Sequence, residues 1–115
     1  MEIGIDIEKV TRINKLIKNK RFLNRLFTED EIKYCLVKKN AAQHFAVRYA
    51  AKEAVWKALS SVEKKSLTHK DIKIKNTSDG KPMVILPQAL KNIQERVGIS
   101  LSHSEDIAVA VAVFV

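Results

Sequence analysis

The chain has 115 residues, a formal charge of +8, 46% hydrophobic and 30% charged side chains, and one cysteine. These values predict a single soluble globular domain over residues 1–115 and exclude a disordered chain. No apolar run reaches the ~18 residues of a membrane span. Met1-Glu2-Ile3-Gly4 lacks a signal-peptide layout, and one cysteine excludes an internal disulfide or a Cys-rich metal site, so the expected compartment is the cytoplasm.

Ile3-Gly4-Ile5-Asp6-Ile7-Glu8 alternates with period two and predicts a strand with Ile3, Ile5 and Ile7 on the core face. Asp6 then points to the opposite face. It either binds the start of a neighbouring helix or belongs to a site, because Asp is disfavoured within strands. From Lys9 to Thr28 there are seven basic residues and no acidic one, which suits an anionic partner. About Thr11 to Lys20 reads as a helix with Ile13, Leu16, Ile17 and Lys20 on one side. Thr28 with Glu31 forms a capping-box signature for a short helix carrying Ile32, Cys35 and Leu36, in which Cys35 reads as core.

Asn40 with Gln43 opens a long helix expected to end at Leu59 or Ser60. At about 100° per residue, Phe45, Tyr49, Trp56 and Leu59 form a bulky stripe flanked by Arg48 and Lys52. Val47, Ala51, Ala54 and Ala58 form a small-residue stripe roughly opposite. A helix apolar on two sides is packed on two sides. Glu53 and Lys57 lie between the stripes, as an ordinary i,i+4 ion pair or as part of a site.

Ser61 to Lys70 reads as a loop. Asp71 to Lys75 alternates and can pair with Pro82 to Leu86 around an Asp79-Gly80 turn. Pro87 and Gly98 bracket a helix with Leu90, Ile93 and Val97 inward. Ile99 to Ser102 and Ile107 to Val115 form a closing hairpin around Ser104-Glu105. The alanine face of that last strand, Ala108, Ala110 and Ala112, is the expected partner of the helix alanines. The whole predicts an α+β domain in which an antiparallel sheet packs on a long central helix.

Two carboxylates on covered faces, Asp6 and Glu53, suit Mg²⁺, which keeps several waters and draws other ligands from substrate phosphates. His44, His69 and His103 lack metal-ligand spacing, and no glycine-rich phosphate loop is present. A small basic module binding nucleic acid or an acidic protein is the rival reading. It is disfavoured because Asp6 and Glu53 would repel phosphates without a cation. It also wants exposed aromatics, whereas Phe45, Tyr49 and Trp56 are spent on a helix stripe.

Four segments resemble the holo-acyl-carrier-protein synthases, the short group of 4′-phosphopantetheinyl transferases. They are Gly4-Ile5-Asp6-Ile7-Glu8 leading to Arg12, Phe27-Thr28-Glu29 with Glu31 and Tyr34, Phe45 to Leu59 around Lys52-Glu53-Ala54, and Leu101-Ser102-His103-Ser104. The resemblance implies transfer of phosphopantetheine from coenzyme A to a serine of an acyl carrier protein, in fatty acid biosynthesis. It implies that Asp6 and Glu53 hold Mg²⁺, that Lys57 faces the same phosphates, and that Glu53 or a water it positions accepts the serine proton. Arg48, Lys81, Pro82 and His103 become contacts to the coenzyme, and Arg12, Lys15, Arg21 and Arg25 a docking surface for the carrier protein. It further implies a homotrimer with each site between two subunits, and no nucleic-acid or membrane partner. Where the family carries a Gly-Thr-Gly-like loop near the nucleotide, Ser60-Ser61-Val62-Glu63 stands, so that loop should run differently.

Overall fold

Strand β1 (Glu2–Lys9) leads into helices α1 (Val10–Leu16), α2 (Lys20–Leu26), α3 (Glu29–Leu36) and the long α4 (Ala41–Ala58). A 3₁₀ turn at His69–Asp71 precedes β2 (Lys73–Asn76) and β3 (Pro82–Ile85). A 3₁₀ segment at Gln88–Arg96 then leads to β4 (Val97–Ser104) and β5 (Ile107–Phe114). This computed structural model describes residues 1–62 and 67–115. The predicted loop of residues 61–70 therefore lies partly outside the described residues, as does Glu63 of the glycine-free segment.

One antiparallel sheet has the order β1-β5-β4, and β2 and β3 form a separate hairpin. The first sheet lies against α4, and the predicted meeting of two alanine faces occurs. Ala108, Ala110 and Ala112 of β5 are fully buried, as are Ala50, Ala51, Ala54 and Ala58 of α4. The contact is so close that a Cβ added to Gly4 would fall 2.0 Å from the Ala54 carbonyl oxygen and 2.8 Å from the Ala58 nitrogen.

That approach reverses the prediction for the isoleucines. In the register, Gly4, Asp6 and Glu8 lie opposite Ala112, Ala110 and Ala108, and so share their helix-facing side. Ile3, Ile5 and Ile7 point away and are 62%, 61% and 64% exposed, alongside the partly exposed Val109, Val111 and Val113. Only small residues fit beneath α4, so the large apolar ones occupy the outer face.

The α3 capping box forms as predicted, with the Thr28 amide donating to Glu31 Oε1 at 2.8 Å and the Glu31 amide donating to Thr28 Oγ1 at 3.2 Å. Cys35 is buried, and burial pushes its thiol up to about 11, whereas Leu36 is exposed. The predicted Thr11–Lys20 helix is instead two helices. The Asn19 side chain accepts from the Arg21 and Phe22 amides, which starts α2 afresh. Asn40 begins α4 through its backbone carbonyl, without a side-chain cap. Asp71 sits in the 3₁₀ turn, not in β2. The Pro87–Gly98 helix is a 3₁₀ segment, and Gly98 lies within β4. Gly80 adopts the expected positive φ of 88° in the β2–β3 turn.

Candidate active site

Asp6, in the middle of β1, faces α4 one strand away from the buried alanines. Lys57 crosses to it from the helix, donating to the Ile5 carbonyl at 2.9 Å and to Asp6 Oδ1 at 3.4 Å. The predicted alternative of a Glu53–Lys57 helix pair gives way to these contacts with β1. Asp6 Oδ2 is buried and has no hydrogen-bond partner among the described residues.

Glu8, two positions on, shares the face of Asp6. Burial first, then the adjacent Asp6 carboxyl and more weakly the charge of Glu53, push its own carboxyl up to about 7, against the opposing pull of Arg12. Arg12 Nη1 lies 3.4 Å from Glu8 Oε1. Glu53 Oε1 lies 2.8 Å from His69 Nε2 and accepts from the Tyr49 hydroxyl at 3.4 Å. Burial, followed by the charges of Glu53, Glu8 and Asp6, pushes the Tyr49 phenol up to about 12. Asp6, Glu8, Glu53, Lys57, Tyr49 and His69 thus form one group.

The donor set fits a hard divalent cation. Carboxylates of β1 and α4 share one face, one buried carboxylate oxygen is left unpaired, and a neighbouring carboxyl is pushed toward its neutral form by burial first and then by the carboxylates beside it. Among the described residues no three His, Cys, Asp or Glu side chains form a ready-made metal cage.

The other predicted contacts gather elsewhere. Arg48 is 5% exposed, its Nη2 donates to Asn76 Oδ1 at 2.7 Å, and its guanidinium lies 4.2 Å from the Tyr34 ring centroid. Arg48 Nε has no partner among the described residues. Arg48, Tyr34, Asn76, Lys73 and Lys75 line a cleft of about 290 Å³ together with Asp30 and the Lys52-paired Glu31, so that the cations outnumber the carboxylates. Pro82 pairs with Asn76 across the hairpin, and Lys81 precedes it. His103, exposed on β4, is close enough for its charge to help lower the pKa of His44, which burial lowers most; His44 packs edge-on against Tyr34. On α4, Arg48 lies about 140° from Glu53 and about 180° from Lys57. One chain therefore presents two separate groups, one acidic with Lys57 and one basic. Lys15, Arg21 and Arg25 are exposed on α1 and α2, and Arg12 links that basic surface to the acidic group.

The chain belongs to the 4′-phosphopantetheinyl transferase superfamily, whose family profile matches residues 2–112. Within it, the chain is similar to the holo-acyl-carrier-protein synthase of Thermodesulfovibrio yellowstonii, at 42% identity over 113 residues, 96% of this chain and 95% of that protein. It is 45% identical over 115 residues to the corresponding synthase of Chlamydia caviae, covering 96% and 93% of the two chains. The fold superposes on the crystal structure of the Helicobacter pylori synthase in complex with coenzyme A with a TM-score of 0.83, at 33% identity, covering 98% and 99% of the chains.

Sequence reasoning named Asp6, Glu53 and Lys57 but passed over Glu8 and His69. Glu8 had a signal, since it lies two residues from Asp6 on a strand and so must share its face. His69 had none, because it meets α4 from a separate stretch of the chain.

Proposed function

We propose that this chain transfers the 4′-phosphopantetheine group of coenzyme A to a serine of apo-acyl carrier protein, in fatty acid biosynthesis. The observation that carries the reading is the unpaired buried oxygen of Asp6 beside Lys57 and the Glu8 and Glu53 carboxylates, in a chain similar to holo-acyl-carrier-protein synthases over nearly its full length. Asp6 and Glu53 would hold Mg²⁺, which when bound supplies positive charge to the coenzyme A pyrophosphate.

The serine oxygen attacks the phosphorus next to pantetheine and forms a new P–O bond. The bond to the bridging oxygen breaks, and adenosine 3′,5′-bisphosphate leaves with the electron pair. Glu53 accepts the serine proton. Lys57, anchored by the Ile5 carbonyl, places an ammonium beside the phosphates and offsets charge on the leaving group. Arg12, Lys15, Arg21 and Arg25 meet the acidic surface of the carrier protein and orient it.

The exposed isoleucines and partly exposed valines of the sheet support contact between copies of the chain, the homotrimer of the proposed reading, since a monomer rarely leaves a contiguous apolar face in water. A site between subunits accounts for the two separate groups. The acidic group of one chain would meet Arg48, Lys81, Pro82 and His103 of the next, which bind the coenzyme.

Incubation with apo-carrier protein, coenzyme A and Mg²⁺ is expected to add one phosphopantetheine by intact mass. Glu53→Gln is expected to lower that rate by at least about 100-fold. No mass gain across several carrier proteins would sink the reading.

A further inference from the structure

His69 has no assigned part in the transfer, yet it is held from several sides in its 3₁₀ turn. Its ring lies between two aromatic side chains of α4. The centroid of Tyr49 is 6.0 Å away at 17° between planes, and that of Trp56 is 6.5 Å away at 6°. Its backbone is fixed from below. Lys52, fully buried, donates from Nζ to the His69 carbonyl at 2.9 Å and to the Ile72 carbonyl at 2.7 Å.

The charge of Lys52 is answered by Glu31 Oε1 at 2.9 Å, and Glu31 Oε2 accepts the Ile74 amide at 2.9 Å. Asp71 closes the turn through the Thr68 amide and hydroxyl, both at 3.0 Å. Trp56 Nε1 donates to the Leu67 carbonyl at 3.4 Å. Ring and backbone are thus constrained independently, and the outcome is Nε2 at 2.8 Å from Glu53 Oε1.

We propose that His69 is a positioning residue for Glu53: its Nε2–H donates to Oε1 and fixes the plane and direction of the carboxylate that binds the cation and takes the serine proton. The inference rests on the function proposed above. A glutamate has three side-chain torsions, and immobilising them costs entropy each time the carboxylate is used. A rigid donor meets that cost during folding. Outer partners of this kind change metal affinity or activity by about 10–100-fold when removed. The buried pair of Lys52, read from the sequence as a helix flank, and Glu31, read as a capping residue, acts here as the clamp behind the histidine.

Two variants separate the hydrogen bond from packing. His69→Phe keeps an aromatic ring between Tyr49 and Trp56 and removes the donor. His69→Gln loses the ring and restores an N–H near the position of Nε2. Mn²⁺ affinity, read by electron paramagnetic resonance on the protein alone, is measured beside kcat and KM for the carrier protein and the melting temperature.

His69→Phe is expected to melt close to the parent, to bind Mn²⁺ about tenfold more weakly and to lose about tenfold in kcat, with KM for the carrier protein unchanged. His69→Gln is expected to recover most of both losses. Parent-like Mn²⁺ affinity and kcat in His69→Phe overturn the proposal, and so does a His69→Gln variant as impaired as His69→Phe. If the parent itself modifies no carrier protein, the function proposed above fails, while the Mn²⁺ comparison still decides the role of His69.

Discussion

Glu8 illustrates how one side chain registers first its burial and then the charge around it. Its carboxyl keeps a proton in the native state up to about pH 7, against 4.5 for an unperturbed glutamate. Between those values the native state binds more protons than the unfolded chain, so this group makes stability fall as pH rises through the window. Glu8→Gln removes that penalty. In metal-free buffer the variant is expected to melt above the parent at pH 8 and level with it near pH 4, where Glu8 is neutral in both states. Added Mg²⁺ is expected to narrow the gap at pH 8, because a cation beside Asp6 and Glu53 offsets the repulsion. Equal melting temperatures at every pH would mean that the Glu8 carboxyl is neither desolvated nor crowded by Asp6 in solution.

At the scale of elements, the α4–sheet contact is set by the smallest side chains in the fold. Gly4→Ala forces a methyl group into the backbone of α4, where no side chain can move aside. Overpacking typically costs about 1–3 kcal/mol, and a backbone obstruction belongs at or above the top of that range. Urea unfolding is the check, and a cost below the bottom of that range would mean that β1 can ride away from α4. Lys52→Met leaves Glu31 buried without its partner and is expected to cost about 3–5 kcal/mol by the same measurement. The alanine stripes, the Thr28–Glu31 cap and the Asp79-Gly80 turn were readable because each is a local pattern with one geometric meaning. Asp6, Glu53 and Lys57 were readable as residues out of keeping with their faces. The isoleucine face was misread because period two separates the sides of a strand without saying which one is inside. The break at Asn19 escaped notice because apolar spacing continues across it. His69 depends on a return of the chain that no local pattern encodes.

For the whole molecule, the deciding feature is the uncovered face of Ile3, Ile5, Ile7 and the β5 valines. Ile5→Glu places a charge at its centre and is expected to yield a folded monomer by analytical ultracentrifugation, with transfer activity lost. A folded Ile5→Glu trimer would move the subunit contact to another surface. The basic patch on α1 and α2 acts at the same scale. Added salt is expected to raise the apparent KM for the carrier protein while leaving kcat nearly unchanged, since screening weakens long-range attraction between exposed charges. A salt-independent KM would remove Arg12, Lys15, Arg21 and Arg25 from docking.

The separation of the acidic and basic groups on opposite sides of α4 has a genetic consequence. With each site formed between two subunits, as proposed above, a chain lacking Glu53 and a chain lacking Lys81 and His103 would each be inactive alone, yet each would retain the half that the other has lost. Coexpressed in equal amounts, they are expected to assemble mixed rings in which about a quarter of the subunit junctions join two intact halves. Two dead alleles would then restore one another's activity, an outcome closed to any enzyme whose site lies within a single chain.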